Sequence, residues 1–453
     1  MKHQTKHLPG LALIQISLIL LFATSCQKQY DQLARNVTVT KKDQGHLKQT
    51  NTHSSEVVIK WLNVQAEMLK VPLAPGATTQ GAERAMAYCG IAAYESVMPG
   101  MPAYQSLGGQ LTSFPSMPTT EPGKAYHWAA SANAALAEMN RQLFPGASDA
   151  NKANINALEI ALHTVYATET DAATLQRSVA FGKEVASRVF AWAASDGSAY
   201  NPPYIPTPGF GIWVPTAPTQ PAIPYAAQRR ELVPGVSQGA VIEPPPPYST
   251  DPGSAFWEMA KDVYDKSLAL TPDQLAMALY HRDAPGYPGG GHFVPILSQV
   301  LTKAQTTLDK AVLAYAKMGI ATYDAIKICL TLKYVVKTVR PVTYINDVMG
   351  IAWTTKIPTP NHPEFPSAHA VNSAAIAMML TDVLGANFEF SINTYDYLGF
   401  PERSYTSFKA MSNEMSNSRV FGGIHYQASC DKGIWLGEKV GQNILSKIKF
   451  LKD

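Results

Sequence analysis

Apolar residues in this chain recur at helical spacing and seldom alternate. Beyond Ser55, the residues Val57, Val58, Trp61, Leu62, Val64 and Met68 share one broad face, the pattern of an amphipathic helix capped by Ser54 or Ser55. The same reading predicts helices over 84–98, stopped by Pro99-Gly100, and over 123–143, 149–167 and 170–195. They resume over 254–270, 272–282, 292–318, 320–339, 367–384, 405–416 and 424–447. Strand-like alternation is scarce, so the expected fold class is all-α, built of helical bundles.

The interval 198–253 differs in character. It holds Pro202, Pro203, Pro206, Pro208, Pro215, Pro218, Pro221 and Pro224 and ends in the run Pro244–Pro247. Proline at that density excludes regular helix and central strand. Tyr204, Phe210, Trp213 and Tyr225 are interleaved, which points to a loop packed on the surface. It would join an N-terminal helical region, 55–197, to a C-terminal one, 254–450.

The first residues read as an export signal. Lys2, His3, Lys6 and His7 make a basic start, and Leu11–Phe22 is an apolar run too short to span a bilayer. Ala23-Thr24-Ser25-Cys26 follows, similar to a bacterial lipoprotein cleavage box. The expectation is a signal peptide over 1–26, a lipid on Cys26, a flexible polar tether over 27–54, and an exported protein that meets the membrane only through that anchor.

Composition narrows the function classes. Of 453 residues, 46% are hydrophobic and 16% charged, with a net charge of +3, which gives no electrostatic footprint for nucleic acid. Cys89, Cys329 and Cys430 are far apart and form no paired motif, so they read as buried thiols.

Three motifs in the second half carry candidate chemistry. In the first, Lys333 and Arg340 stand seven apart, with Pro341 next. On one continuous helix ended by that proline they would share a face, about 20° apart, and could reach one oxyanion. They could equally be two cations on a solvated face. The second is Pro366-Ser367-Ala368-His369, with His362 just upstream. Ser367 and the Ala368 amide at a helix start can bond an anion, with His369 in the first turn. A plain capped helix is the competing account. The third is Ser418-Arg419 with His425 six residues beyond. A break at Gly422-Gly423 would leave Arg419 on a loop and put His425 in a new helix, letting the two converge. His292, after Gly289-Gly290-Gly291, reads as part of a surface turn, and Asp324 as facing away from Lys333.

Taken in order, these motifs resemble the vanadium haloperoxidase and type 2 phosphatidic acid phosphatase superfamily, whose pattern is K-x6-RP, PSGH and SR-x5-H. All three spacings match. The resemblance is strong over roughly 254–450 and weak over the N-terminal helices. It implies that Lys333, Arg340 and Arg419 hold the oxygens of vanadate, or of phosphate in the same site. Ser367 and the Ala368 amide would bond the same anion. His369 would be the acid–base residue. His425 would be the apical vanadium ligand or, in a phosphatase, the nucleophile. His362 falls where bromide- and iodide-oxidising members tend to carry histidine, although a loop-surface residue would also fit.

The departures are Ala368 for glycine, Leu330 where tryptophan is frequent, and Ser429 where a carboxylate usually orients the last histidine. That histidine's partner is therefore weaker or comes from elsewhere. Two activities follow from the resemblance: peroxide-dependent halide oxidation, or hydrolysis of a phosphomonoester through a phosphohistidine. A non-catalytic oxyanion-binding protein on the same scaffold is a third reading.

Overall fold

The computed structural model describes residues 49–78 and 81–452. The signal-like segment, Cys26 and the tether up to residue 48 lie outside the described residues. Thirteen α-helices, five short 3-10 helices and one two-stranded ribbon make up the regular structure among the described residues. The first five are α1 (Glu56–Leu69), α2 (Ala82–Val97), α3 (Trp128–Leu143), α4 (Asp149–Tyr166) and α5 (Ala172–Ala194). After the proline-rich stretch come α6 (Ala255–Leu268), α7 (Pro272–Tyr280), α8 (Phe293–Ala304) and α9 (Leu308–Val336). The last are α10 (Pro341–Asp347), α11 (Ala368–Leu384), α12 (Phe408–Phe421) and α13 (Gln427–Lys447). The ribbon pairs β1 (Phe390–Ile392) with β2 (Arg403–Tyr405), antiparallel, with Ser391 opposite Ser404.

Several helices start where a side-chain oxygen can take an orphan amide. Ser148, Asp171, Ser254 and Ser407 accept from the backbone at the heads of α4, α5, α6 and α12, and Thr271 with Gln274 forms a capping box on α7.

Four expected boundaries shift. The helix placed over 123–143 starts only at Trp128, because Gly123 is left-handed (φ 71°) and prolines precede it. The helices placed over 292–318 and 320–339 divide at Gln305 instead, which is left-handed (φ 47°). The following α9 then runs straight through Gly319. The helix expected over 405–416 begins at Phe408 and continues to Phe421. The end of the expected tether is packed: Thr50 is fully buried and its hydroxyl donates to Val97 O at 3.0 Å.

The long helix α9 is the spine. It packs on α2 along one side and on α11 along another, and α11 packs in turn on α13 and α12. The α2–α9 crossing is close because both helices put small residues there. A Cβ on Gly90 would sit 2.6 Å from Tyr315 O, and one on Gly319 would strike the α2 backbone at Met86 and Ala87. Gly319 is thus a contact residue and not a breaker.

The proline-rich stretch is partly packed. Trp213 is buried against Tyr204 and Tyr334, whereas Phe210 is 94% exposed. Asp324 on α9 anchors the stretch about twenty residues before its end: its two carboxylate oxygens accept from Leu232 N at 2.8 Å and Val233 N at 3.0 Å. Cys89, Cys329 and Cys430 are free and buried. Among the described residues no helix is long and apolar enough to cross a membrane.

Candidate active site

Lys333 occupies the last turn of α9. The helix ends soon after, where Lys337 adopts a left-handed C-cap (φ 54°). Arg340 is extended and caps α10, with Pro341 in its first turn. The two cations therefore do not share a helix face, and Pro341 opens a helix instead of ending one. The local reasons are plain. Proline keeps its predecessor extended and is well suited to a helix start. Backbone bonds from Trp213 N to Lys337 O (2.7 Å) and from Val339 N to Gly211 O (3.1 Å) hold the turn open. Tertiary structure then reunites the pair on one loop. Lys333 Nζ donates to Pro363 O at 2.9 Å and Glu364 O at 2.7 Å. Arg340 donates to His362 O at 2.9 Å and to Ile424 O at 2.7 Å.

Ser367 is the N-cap of α11, yet its hydroxyl makes no capping bond. Its Oγ is fully buried with no hydrogen-bond partner, beside only the weakly bonding Cys430 thiol. The hydroxyl is not spent on the helix, which removes the plain capped-helix account. Ala368 and His369 begin α11, where the first amides have no partner inside the helix. His369 Nε2 lies 3.6 Å from Asp283 Oδ1.

Arg419 sits in the last turn of α12, not on a loop, and His425 lies in the loop ahead of α13, not inside it. Gly423, left-handed at φ 78°, makes the break between them. Arg419 donates to His281 O at 2.5 Å and approaches Asp283 Oδ2 at 3.6 Å, while its Nε is buried and unpartnered.

These pieces converge on one cavity of about 330 Å³. His362, Ala368, His369, Arg419 and His425 form part of its wall, with apolar cover from Ile223, Ile326 and Leu330. Lys333, Arg340 and Ser367 are buried, and Ser367 and Arg340 adjoin that wall through Ala368 and His425. A larger open groove of about 850 Å³ lies against α11, α12 and α13, but neither histidine nor arginine lines it.

The ring of His425 is held on both sides. Its Nδ1 lies 2.7 Å from Glu364 Oε1, and its Nε2 lies 3.3 Å from Arg340 Nη1. Guanidinium only donates, so Nε2 is the acceptor and the proton sits on Nδ1. Burial, then Arg340 and Lys333, pushes the imidazole well below its usual range, so it is neutral. His362 Nδ1 lies 3.1 Å from both Arg340 Nη2, which only donates, and Pro363 O, which only accepts, so it can bond one of the two but not both. His369 is also pushed well below the usual range, first by burial and then by Arg419. Burial lowers Lys333 to about 7 and Arg340 to about 10, with a neighbouring cation adding to each.

Three residues had escaped sequence reasoning. Glu364 stood in plain view between His362 and Ser367; the one hint was the serine at 429 where a carboxylate is usual. Asp283 gave no signal, because the α7–α8 loop reaches the site only through the fold. His292, expected in a surface turn, is 2% exposed, with Nδ1 on Tyr395 Oη at 2.7 Å.

The donor set fits a tetrahedral oxyanion: three cations, an unspent serine hydroxyl, a helix-start amide and a neutral histidine lone pair. The unpartnered Ser367 Oγ and Arg419 Nε are the test, since buried polar atoms are rarely left unbonded without a ligand or water to take them. One other cluster, His53, His127 and Glu169, brings three possible metal ligands together. There His127 Nδ1 accepts from Ala130 N at 3.1 Å, so its Nε2 holds the proton and donates to Glu169 at 2.8 Å. That leaves His127 no lone pair for a metal.

The family model for the VCPO second helical-bundle domain matches residues 346–453. The crystal structure of the first bacterial vanadium-dependent iodoperoxidase is similar at 29% identity with a TM-score of 0.79, over 88% of this chain and 98% of that one. Holo-type bacterial vanadium-dependent chloroperoxidase shares the fold at 16% identity and a TM-score of 0.64, over 87% of this chain and 97% of the other. Its apo-type structure does so at 14% and 0.63, over 84% and 97%. No curated protein matches by sequence.

Proposed function

Because this chain belongs to the vanadium haloperoxidase and type 2 phosphatidic acid phosphatase superfamily, we propose that it is a vanadate-dependent haloperoxidase, oxidising bromide or iodide with hydrogen peroxide to hypohalous acid. The observation that carries this reading is the convergence of Arg419, His369, His425 and His362 on one cavity, backed by buried Lys333, Arg340 and an unspent Ser367 hydroxyl.

Bound vanadate supplies a Lewis-acid centre that activates peroxide without changing its own oxidation state. The protein does the rest. His425 would hold the oxyanion through Nε2, the nitrogen that accepts from Arg340 at 3.3 Å in this structure. Lys333, Arg340 and Arg419 neutralise the oxyanion through charge-assisted hydrogen bonds. Ser367 Oγ and the Ala368 amide donate to the same oxygens. His369, neutral before turnover, takes the peroxide proton and returns it. His362 stands in the cavity wall, where its ring would meet the halide.

The test is oxidation of iodide and bromide by purified, phosphate-stripped protein before and after addition of orthovanadate. Activity that requires vanadate and peroxide is expected. Silence from vanadate-loaded protein that hydrolyses phosphomonoesters instead would move His425 to the role of nucleophile.

A further inference from the structure

The carboxylate of Glu364 is completely buried and accepts three hydrogen bonds, all from the segment that carries His425. Oε1 takes His425 Nδ1 at 2.7 Å and Tyr426 N at 3.1 Å, and Oε2 takes Ser429 Oγ at 2.7 Å. Its own backbone is fixed as well: Glu364 N donates to Thr338 O at 3.0 Å, and Glu364 O accepts from Lys333 at 2.7 Å. Three residues on, Ser367 N donates to Ser429 O at 3.0 Å. The loop that presents the unspent serine hydroxyl is thus tied both to the loop that presents the histidine and to the first turn of α13 that follows it.

We infer that Glu364 is the positioning residue for His425, taking from a different loop the place that a carboxylate four residues after the histidine holds elsewhere in the superfamily. The inference rests on the oxyanion-site reading above. Position 429 can be serine because Glu364 already fills the space and the charge beside Nδ1. Ser429 supplies the hydroxyl that keeps the second carboxylate oxygen bonded. A carboxylate there orients the ring, holds the proton on Nδ1 and raises the basicity of Nε2, which faces Arg340 and the cavity. It touches no reacting atom. Glu364 and Ser367, three residues apart, both bond the segment that carries His425, which links the histidine's Nε2 to the serine that would meet the anion.

Binding of orthovanadate to phosphate-stripped protein, measured by equilibrium dialysis, tests this without peroxide or halide. Glu364→Gln keeps shape and hydrogen bonds but removes the charge, and should weaken vanadate binding by about 10- to 100-fold. Returning the carboxylate to the first turn of α13, as Glu364→Gln with Ser429→Asp, should recover most of that loss. Unchanged affinity in Glu364→Gln, or a double variant no better than the single, would overturn the assignment. ¹⁵N-histidine NMR of the unaltered protein supplies a readout that needs no variant to fold. His425 protonated on Nδ1 is expected, and a proton on Nε2 would overturn it. Wild-type protein that binds vanadate but oxidises no halide would count against the haloperoxidase reading alone.

Discussion

The two ends of α9 are built on opposite rules. Its first half meets α2 through small residues packed backbone to backbone, and the buried polar groups there are bonded. Tyr315 Oη donates to Gln65 Oε1 at 2.8 Å, and Thr322 Oγ1 to Met318 O at 2.8 Å. Its last turn carries Lys333 into a region where Arg340 and Arg419 are also buried, and where Ser367 Oγ and Arg419 Nε find no partner. A dry interface lowers its free energy by filling space and closing every hydrogen bond. A ligand site keeps strong donors dehydrated and open, a cost offset only when the ligand arrives. The same helix can do both because its close packing at one end holds the charged end in place.

Damage at the charged end should spare the fold and abolish chemistry. His425→Ala should lower vanadate-dependent halide oxidation by at least about a thousandfold, read as initial rates at saturating vanadate. Ser367→Ala removes one unspent donor and should cost about 10²-fold in turnover with little change in melting temperature. Damage at the dry end should do the reverse. A Cβ at Gly319 meets backbone that cannot yield, so Gly319→Ala should lower stability by about 1–3 kcal/mol, seen as a lower denaturant midpoint, while vanadate affinity stays near wild type. A Gly319→Ala protein that folded normally but lost vanadate would show that the two ends are coupled more tightly than this division allows.

The smallest expected effect lies between the ends, at Asp324. Burial pushes its carboxyl from 3.8 up to about 7. The folded protein then holds this proton more tightly than the unfolded chain does. The resulting stabilisation is complete below the unfolded value and is lost as pH rises through about 7. Glu95, raised by burial from 4.5 to about 7, acts with the same sign. Melting temperature should therefore fall between about pH 4 and pH 7 and level off above, and Asp324→Asn should flatten that slope. The slope is the readout, since an asparagine amide would also face one of the two backbone N–H groups that Asp324 now accepts.

Much of this was legible beforehand, for identifiable reasons. Helices α4 and α5 follow from periodicity and capping, both local, and α1 from periodicity alone, since the expected Ser55 cap makes no side-chain bond. The residues that line or adjoin the cavity were legible because each motif is short and carries its own spacing. What misled was continuity. Seven residues between Lys333 and Arg340 imply one helix face only if the helix continues, and a left-handed Lys337 stops it. Gly319 was taken to divide two helices, but its partner was α2, more than two hundred residues earlier.

By itself the amino-acid sequence determined the helical class, the proline-rich interruption and the three short motifs whose residues line or adjoin the cavity. Those depend on near neighbours and composition, which a chain displays along its length. Only the tertiary structure decided which groups meet. It put Glu364 on His425, set Asp283 between His369 and Arg419, buried His292, and left the Ser367 hydroxyl unspent. Each is a relation between segments far apart in the chain, fixed by packing and burial that no local pattern encodes.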